Sequence, residues 1–297
     1  ITGYSTQMQN IGKVQNRGME FTLNTKNLTG EFSWSSNFNI SFNKNKVLEV
    51  GVDGRPIYGS AANANNAFIT KPGYPIASFY GYKYIGVFQS EEELAKYPHL
   101  SGDKVGDGRY EDVNKDGVLD QNDKTILGDN NPLFTAGFSN SFSYKNFTLD
   151  IQFTGSYGAE VFSFYKRMCG IYHGDRNGMI EQLGRWQSKD QPGDGIHFRP
   201  TRTPSGWQRD PSSAWVQDAS YLRLRNLTLG YNFDQKVLDK MKMKGLRLYV
   251  TGQNLFTITN YVGYDPETSS ESGLAQGGDY LGYPAARSFI IGANITF

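Results

Sequence analysis

The last strand-forming segment constrains the fold more than any other feature of this chain. From Ser288 to Phe297 it reads SFIIGANITF, with apolar residues at every second position and small or polar ones between them, except at Ile290. Because side chains alternate across a strand with a period of two, one face is apolar and the other wet. Such a strand suits a wall between lipid and an aqueous lumen. A half-buried strand of a soluble sandwich alternates as well, so this segment alone leaves both folds open.

The same alternation recurs along the chain, with Ser, Thr, Asn or Gln on the polar face. The segments lie at 19–24, 32–42, 134–142, 147–154 and, less regularly, at 221–231 and 246–256. Their length approaches the roughly 9–11 residues that a tilted strand needs to cross a bilayer. Their polar faces are too hydrophilic for the core of a sandwich, so the sequence predicts an all-β fold with a wet interior.

Composition supports this fold and argues against nucleic-acid binding and catalysis. The 297 residues include 30 Lys and Arg against 29 Asp and Glu, so no basic excess exists to neutralise phosphates, and nucleic acid is not an expected partner. The 19 Tyr, 19 Phe and 34 Gly residues favour strands and turns. Cys169 has no second cysteine to pair with, and the 3 histidines lack metal-ligand spacing. We find no motif of nucleophilic catalysis and no phosphate loop, so an enzyme is not expected.

The connections between the predicted strands are unequal. Tight or short connections lie at 27–30, 145–146 and 234–244 (the last helical), and long ones rich in Gly, Asp and Pro lie at 90–131, 158–214 and 260–284. Counted back from Phe297, short and long connections alternate, as in a membrane barrel whose long loops share one side. Keeping this alternation requires one extra short strand at 67–71, which turns at 72–73 into a strand at 74–88 and gives about nine strands.

An odd number of strands does not close a single-chain barrel of this class. Either the strand count is wrong, or residues 1–297 form the C-terminal portion of a larger transmembrane antiparallel β-barrel with long extracellular loops, which is the fold we expect. No signal peptide opens the sequence, which begins within a pattern at Ile1. A secreted or outer-membrane protein carries one in its precursor, so we expect a mature or truncated fragment.

One stretch has the pattern of a metal site. Residues 112–123 read DVNKDGVLDQND, which matches the twelve-position calcium loop with Gly117 at its turn. The predicted ligands are the side chains of Asp112, Asn114, Asp116, Asp120 and Asp123 and the backbone carbonyl of Val118. Asp123 stands where Glu is usual and reaches less far, which lowers the expected affinity. A metal-free turn held by Asx hydrogen bonds is the alternative. Bound calcium would stiffen the 90–131 loop rather than switch or catalyse.

Two further features are weaker functional signals. Asp265 and Glu267 form a candidate glycosidase pair, but that mechanism needs a defined carboxylate separation that sequence does not give. Aromatic residues of the long loops could stack on sugars, contact a partner or pack internally. They are Trp186, Phe198, Trp207, Trp215, Tyr261, Tyr264, Tyr280 and Tyr283.

Nine short stretches follow one another along nearly the whole chain. They are NRGME (16–20), NKNK (43–46), GYKYIGVFQ (81–89), DVNKDGVLD (112–120), YKNF (144–147), DASYLRLRN (218–226), GQNLFTIT (252–259), YDPE (264–267) and YPAAR (283–287). Together they resemble the C-terminal half of the SusC/RagA family of TonB-dependent outer-membrane transporters of Bacteroidetes. The resemblance implies a large plugged barrel, of which this chain would hold less than half. The missing N-terminal part would carry the signal sequence, the TonB-contact segment, the plug and the other strands.

The resemblance also implies a function and partners. The family imports oligosaccharides or peptides, with a SusD-like surface lipoprotein over the extracellular mouth and energy supplied through TonB. The three long loops would then meet that lipoprotein or the substrate, and the strands would contact outer-membrane lipid and the remainder of the same barrel. The alternative is a secreted or surface calcium-binding β module that binds glycans. The polar faces and the terminal Phe297 favour the transporter.

Overall fold

The computed structural model describes residues 12–51, 53–61, 64–170, 178–200, 210–268 and 272–297. The strands among them are β1 (Gly12–Thr29), β2 (Phe32–Val50), β3 (Ile57–Ala61), β4 (Ala64–Thr70), β5 (Ser78–Gly81), β6 (Tyr84–Val87), β7 (Gly108–Tyr110), β8 (Thr125–Gly128), β9 (Phe134–Tyr144), β10 (Phe147–Tyr157), β11 (Glu160–Ser163), β12 (Val216–Asp218), β13 (Tyr221–Asn232), β14 (Gly245–Thr259), β15 (Gly278–Asp279) and β16 (Ser288–Thr296). The α-helices are α1 (Glu91–Lys96), α2 (Phe164–Gly170) and α3 (Gln235–Lys240). Within these ranges no helix has the length and apolarity to cross a membrane.

Seven strands form one antiparallel sheet in the order β1-β2-β9-β10-β13-β14-β16, which we call the wall. The register aligns like residues across neighbouring strands: Phe38 of β2 pairs with Phe138 of β9, which pairs with Phe153 of β10. Three aromatic side chains therefore lie side by side on one face, as the two-residue period requires. The predicted all-β, antiparallel fold is confirmed.

The wall has one apolar and one polar face. On the apolar face large side chains remain exposed, and the exposed fraction reaches 73% for Phe289 and 85% for Ile291. On the polar face side chains bond across strands: the Asn37 amide donates to the Asn24 carbonyl, and the Ser141 hydroxyl donates to Asp150 at 2.6 Å. An apolar face this large and this exposed fits contact with lipid.

Glycines of the wall allow large side chains of the polar face to lie flat on the neighbouring strand. Tyr249 covers Gly292, where an added Cβ would lie 2.3 Å from an atom of the tyrosine ring. The side-chain amide of Asn39 covers Gly137 in the same way, at 2.8 Å from the position of an added Cβ. Glycine is needed at both positions because any side chain would displace its cross-strand partner.

The regular pairing is interrupted along a line that crosses β10, β13 and β14. Between Leu224 and Asn226 the register shifts against both neighbouring strands. Opposite this point, Asn254 has a φ of 51°. A bulge of this kind inserts a residue without a partner and changes which face the following side chains occupy. It explains why 221–231 and 246–256 alternate less regularly in the sequence.

Short connections lie at one end of the wall and long ones at the other. The short connections are 30–31, 145–146 and the α3-containing 233–244, and the long ones are 51–133, 158–220 and 260–287. The first long connection thus begins at 51, well before the expected 90. The long connections include 171–177, 201–209 and 269–271, which lie outside the described residues.

The wall holds seven strands among the described residues, whereas the sequence predicted about nine strands. The extra strand expected at 67–71 and the strand expected at 74–88 do not join the wall: β4 and β5 form a four-stranded sheet with β3 and β8. The burial of this segment gives the reason. Ala67, Phe68 and Ile69 are consecutive, and each is at most 2% exposed. A strand covered on both faces does not separate lipid from water.

The long connections pack into a compact unit at their end of the wall, which we call the loop layer. Its main core joins Phe68 and Phe79 of the first connection, Phe162 of the second and Ala275 of the third, all fully buried. The rings of Phe68, Phe79 and Phe162 meet with centroids 5.6 to 6.0 Å apart. The principal hydrophobic core of the described chain therefore lies in the loop layer.

Candidate functional site

The predicted calcium loop lies in the loop layer, between β7 and β8. A short 3₁₀ helix at Gln121–Asp123 ends it. Asp123 is fully buried, whereas Val118 is 58% exposed. One end of the loop is thus anchored in the layer while its middle lies at the surface.

Hydrogen bonds within the loop produce the turn that a calcium site of this spacing requires. The two carboxylate oxygens of Asp112 accept the N–H of Lys115 at 2.7 Å and that of Gly117 at 2.9 Å. Gly117 has a φ of 84°, which favours glycine. Asn114 Oδ1 accepts the N–H of Asp116 at 3.0 Å. The first three predicted side-chain ligands therefore surround one tight turn.

The two remaining predicted carboxylate ligands, Asp120 and Asp123, accept backbone N–H groups. The Asp123 carboxylate accepts the N–H of Val113 at 2.9 Å and that of Asp120 at 2.8 Å. Asp120 in turn accepts the N–H of Asn122 at 2.7 Å. In the ranges that the structure describes, no three Asp, Glu, His or Cys side chains gather around a common point that could hold a metal ion. The backbone turn fits calcium, but the carboxylates point to loop amides and do not form an assembled ligand set.

A second constellation lies on the polar face of the wall, near the end that carries the long connections. The Arg223 side chain is 3% exposed, and its guanidinium pairs with Asp265 at 2.6 Å and with Glu267. Its Nε donates to Thr257 on the neighbouring strand at 2.8 Å. Arg225 pairs with Glu267 at 2.6 Å. We call Arg223, Arg225, Asp265 and Glu267 the arginine cluster.

The arginine cluster fastens the third long connection to β13. Asp265 also accepts the N–H groups of Ala285 at 2.9 Å and Glu267 at 3.0 Å, so it ties both arms of the connection. Partial burial alone would raise the pKa values of Asp265 and Glu267. Hydrogen bonds and the adjacent guanidinium groups outweigh it and lower both pKa values below the ordinary range. Both carboxylates are therefore ionised at neutral pH.

The candidate glycosidase pair thus has another role in the structure. Asp265 and Glu267 both neutralise Arg223 of the wall. The sequence analysis missed this connection, because about forty residues separate the partners. The available signal was the presence of two arginines on a strand face that is otherwise neutral, since buried cations need anionic partners.

The aromatic residues of the long connections divide into two groups. Trp215, Phe198 and Tyr261 are buried, with 3%, 6% and 6% exposed, so they pack internally. Tyr264, Tyr280 and Tyr283 are exposed by 64%, 55% and 100%. Trp186 is partly buried and packs against the main core, and Trp207 lies outside the described residues. The exposed tyrosines, all in the third connection, remain accessible for contacts.

Known proteins resemble this chain over its whole length. It is 36% identical over 308 aligned residues to TonB-dependent receptor P3 of Formosa agariphila, and 29% identical over 307 to TonB-dependent receptor SusC of Bacteroides thetaiotaomicron. Each alignment covers all of this chain but only 30% and 28% of those relatives. The chain thus spans less than a third of the relatives it matches. No family model matches it.

Solved structures share the fold. The RagAB peptide transporter superposes with a TM-score of 0.79 at 21% identity, covering all of this chain and 30% of that one. The RagAB peptide importer in its closed-closed state gives a TM-score of 0.75 at the same identity. At this identity the likeness concerns the fold, and it matches the wall and the loop layer to the C-terminal barrel part of those transporters.

Proposed function

Because this chain belongs to the SusC/RagA family of TonB-dependent outer-membrane transporters, we propose that it forms part of the barrel of an importer for oligosaccharides or peptides. The observation that carries the proposal is the two-faced wall. Seven strands present apolar side chains on one side and hydrogen-bonded polar side chains on the other. Such a sheet separates lipid from a wet lumen, and the remaining strands of a longer protein would close it.

The proposal extends to the partners of the whole transporter. The loop layer lies at a single end of the wall, so it is suited to meet the substrate and a SusD-like surface lipoprotein at the extracellular mouth. TonB would supply energy through the part of the protein that these 297 residues do not include. The short connections would then face the periplasm.

The alternative, a water-soluble calcium-binding β module, is not favoured. Side chains such as Ile291, at 85% exposed, and Phe297, at 76%, lie on a face that water would have to solvate. Contiguous apolar surface of this kind marks a membrane or an interface rather than the free surface of a soluble domain.

Fractionation and transport of the complete protein test the proposed function. We expect the transporter that contains this segment to be extracted from outer membranes only in detergent, together with a surface lipoprotein. Uptake of a labelled oligosaccharide or peptide should cease when TonB is deleted. Recovery of this segment from the aqueous fraction, as a monomer of 33.3 kDa, would contradict the proposal.

We further propose that residues 112–123 bind calcium and stiffen the first long connection. The loop-internal bonds of Asp112 support this, since they shape the turn while each carboxylate oxygen keeps a lone pair for a cation. Calcium binding would require the carboxylates to turn from the loop N–H groups toward the ion. The expected dissociation constant is at or below about 1 mM, as in extracellular calcium modules.

Limited proteolysis of the complete transporter tests the calcium site. Calcium should protect the 112–123 region from cleavage, a chelator should reverse this, and the double variant Asp112→Asn with Asp116→Asn should abolish the protection. Asp239→Asn, at the opposite end of the wall in α3, is the matched control. Equal cleavage with and without calcium, combined with no terbium luminescence from the loop, would reject the site.

A further inference from the structure

Two rows of aromatic residues cross the apolar face of the wall. Near the short connections, the rings of Phe147 and Tyr231 meet with centroids 4.9 Å apart. Near the long connections, the rings of Phe42, Phe134 and Tyr157 follow one another at 6.0 and 5.4 Å, and we call this row the upper girdle. Phe147 and Tyr157 are the ends of β10, so they lie ~33 Å apart along the strand at ~3.3 Å per residue. At a strand tilt of about 40°, the rows are ~25 Å apart across the membrane, which is the spacing of two interfacial girdles.

Three basic residues lie directly beyond the upper girdle on the same face. Lys44 and Lys46 continue the two-residue steps of β2 that reach Phe42. The register of β1 and β2 runs here without a shift and pairs Met19 with Phe42 and Arg17 with Lys44. All three cations are exposed, and we call Arg17, Lys44 and Lys46 the basic patch. Its first pair lies ~7 Å beyond the girdle along the strand, which is the level of lipid headgroups.

The first long connection covers the opposite face of β2 at this level. Asn45 and Val47 alternate with the two lysines of the basic patch and are only 8% and 0% exposed. The Oδ1 of Asn45 accepts the N–H of Ile76 at 2.8 Å, and the N–H of Val47 donates to the carbonyl of Tyr74 at 2.8 Å. The basic patch therefore lies on the outer surface of the wall.

The charges of the basic patch are not balanced by the strands that carry it. Arg17 and Lys44 are direct cross-strand partners, and like charges in this position destabilise a sheet. Within the described ranges, no residue of the patch forms a salt bridge. The acids of β1 and β2 lie elsewhere: Glu20 bonds to Ser41 on the polar face, and Glu49 pairs in register with Lys13 beyond a register shift. An anion from outside these strands would remove the repulsion.

The basic patch is confined to one part of the wall. At the corresponding end of β13 and β14, the apolar face presents Leu222 and Ile258, which are paired in register and exposed by 44% and 62%. The patch is therefore a local feature of β1 and β2 and does not follow the whole rim of the wall.

Resting on the importer function proposed above, which sets the long connections at the extracellular side, we propose that the basic patch binds the phosphate groups of an anionic lipid of the outer leaflet. The Arg17 guanidinium can donate two parallel bonds to one phosphate, and the ammonium groups of Lys44 and Lys46 add positive charge around it. The upper girdle would contact the acyl chains of the same lipid. A phosphorylated lipid fits both surfaces, whereas free phosphate fits only the patch. The bound lipid would hold β1 and β2 together by neutralising the Arg17–Lys44 pair.

Native mass spectrometry of the complete detergent-purified transporter tests this site. The probes are lipid A, the same lipid A with its phosphates removed, and inorganic phosphate. Lipid A should bind most tightly. The triple variant Arg17→Gln with Lys44→Gln and Lys46→Gln should weaken its binding by about a hundredfold, since each basic residue near an anionic headgroup contributes about fivefold.

A matched control removes the same number of charges at the other end of the wall. The triple variant Lys236→Gln with Lys240→Gln and Lys244→Gln, in and after α3, should leave the affinity for lipid A unchanged. Thermal unfolding of Arg17→Gln gives a second readout that packing alone would not produce. Compared with the parent, this variant should unfold at a higher temperature in neutral detergent, where the repulsion is relieved, and at a lower temperature when lipid A is present.

Each outcome decides for or against the lipid site. Loss of lipid A binding in the patch variant alone, with the opposite thermal shifts of Arg17→Gln, supports it. Equal binding of lipid A by the patch variant, or of dephosphorylated lipid A by the parent, overturns it. Displacement of lipid A by inorganic phosphate would show a site for free anions and would also overturn it. TonB-dependent uptake is measured separately, so normal uptake without any lipid effect would reject this inference alone.

Discussion

The wall and the loop layer place their apolar side chains in opposite environments: the wall exposes them and the loop layer buries them. In the wall, Phe289 and Ile291 are 73% and 85% exposed and point away from the chain. In the loop layer, Phe68, Phe79 and Phe162 are fully buried against one another. The wall therefore depends on its surroundings for stability, whereas the loop layer contains its own core. The following substitutions should affect one region and spare the other.

Removal of a central core ring should give the largest effect. Phe162→Ala should destabilise the loop layer by about 3–5 kcal/mol, since the ring contacts Phe68, Phe79 and Phe164 and is fully buried. Hydrogen exchange should rise in β4, β5 and β11 while the wall strands stay protected. Tyr283→Ala, at a fully exposed residue, is the control. Simultaneous loss of protection in the wall would show that the two regions are not separate.

A charge on the apolar face should test the wall alone. Ile291→Arg should cost about 2–4 kcal/mol in folding into a bilayer, because the side chain would face hydrocarbon. Asn294→Arg, on the opposite face of the same strand, should cost much less. Unfolding of the complete transporter in lipid vesicles measures both. Equal costs would contradict the assignment of the two faces.

A smaller effect is expected where tyrosine covers glycine. Gly292→Ala should destabilise the wall by about 1–3 kcal/mol, because the new Cβ displaces the Tyr249 ring. The double variant with Tyr249→Ala should recover part of the loss. Gly30→Ala, at a turn where no atom lies within 4 Å of the added Cβ, provides the comparison in thermal unfolding. Purely additive losses would mean that the ring does not require the glycine.

The smallest effect should appear on acidification. The folded-state pKa values of Asp265 and Glu267 lie below the ordinary 3.8 and 4.5, so their stabilisation is complete above about pH 5. It is lost as the pH falls through the folded-state values, when the carboxylates protonate and release the arginines. Protease cleavage near residues 264–267 should therefore increase in acid. Arg223→Met should reduce this pH dependence, because Arg225 and the hydrogen bonds to the two carboxylates remain. A profile unchanged by Arg223→Met would contradict the mechanism.

The sequence predicted the wall better than the loop layer, for a physical reason. Alternation with a period of two records which residues face lipid, and so Phe38, Phe138 and Phe153 could be assigned to one face before their register was known. The alternation is lost where a bulge changes the face that the following side chains occupy, as at Arg225. In the loop layer burial follows contacts between distant segments. The consecutive buried residues of β4 were assigned to the barrel only because the alternation of short and long connections required another strand.

Local spacing predicted the turn of the calcium loop but not the direction of its carboxylates. The bonds of Asp112 to the N–H groups of Lys115 and Gly117 follow from short-range geometry, which sequence spacing records. Arg223 lies on the wall, whereas its partners Asp265 and Glu267 lie in the third long connection. The two arginines signal a need for anionic partners, but no pattern within a single segment identifies which carboxylates supply them.

The two-residue turns at 30–31 and 145–146 also govern how this architecture can evolve. Insertions at that end would disturb strand registry, so variation in length is channelled to the opposite side. At the end that carries the long connections, a connection can be lengthened or replaced while each wall strand keeps its neighbours. The surfaces of the long connections can thus change while the wall strands keep their pairing.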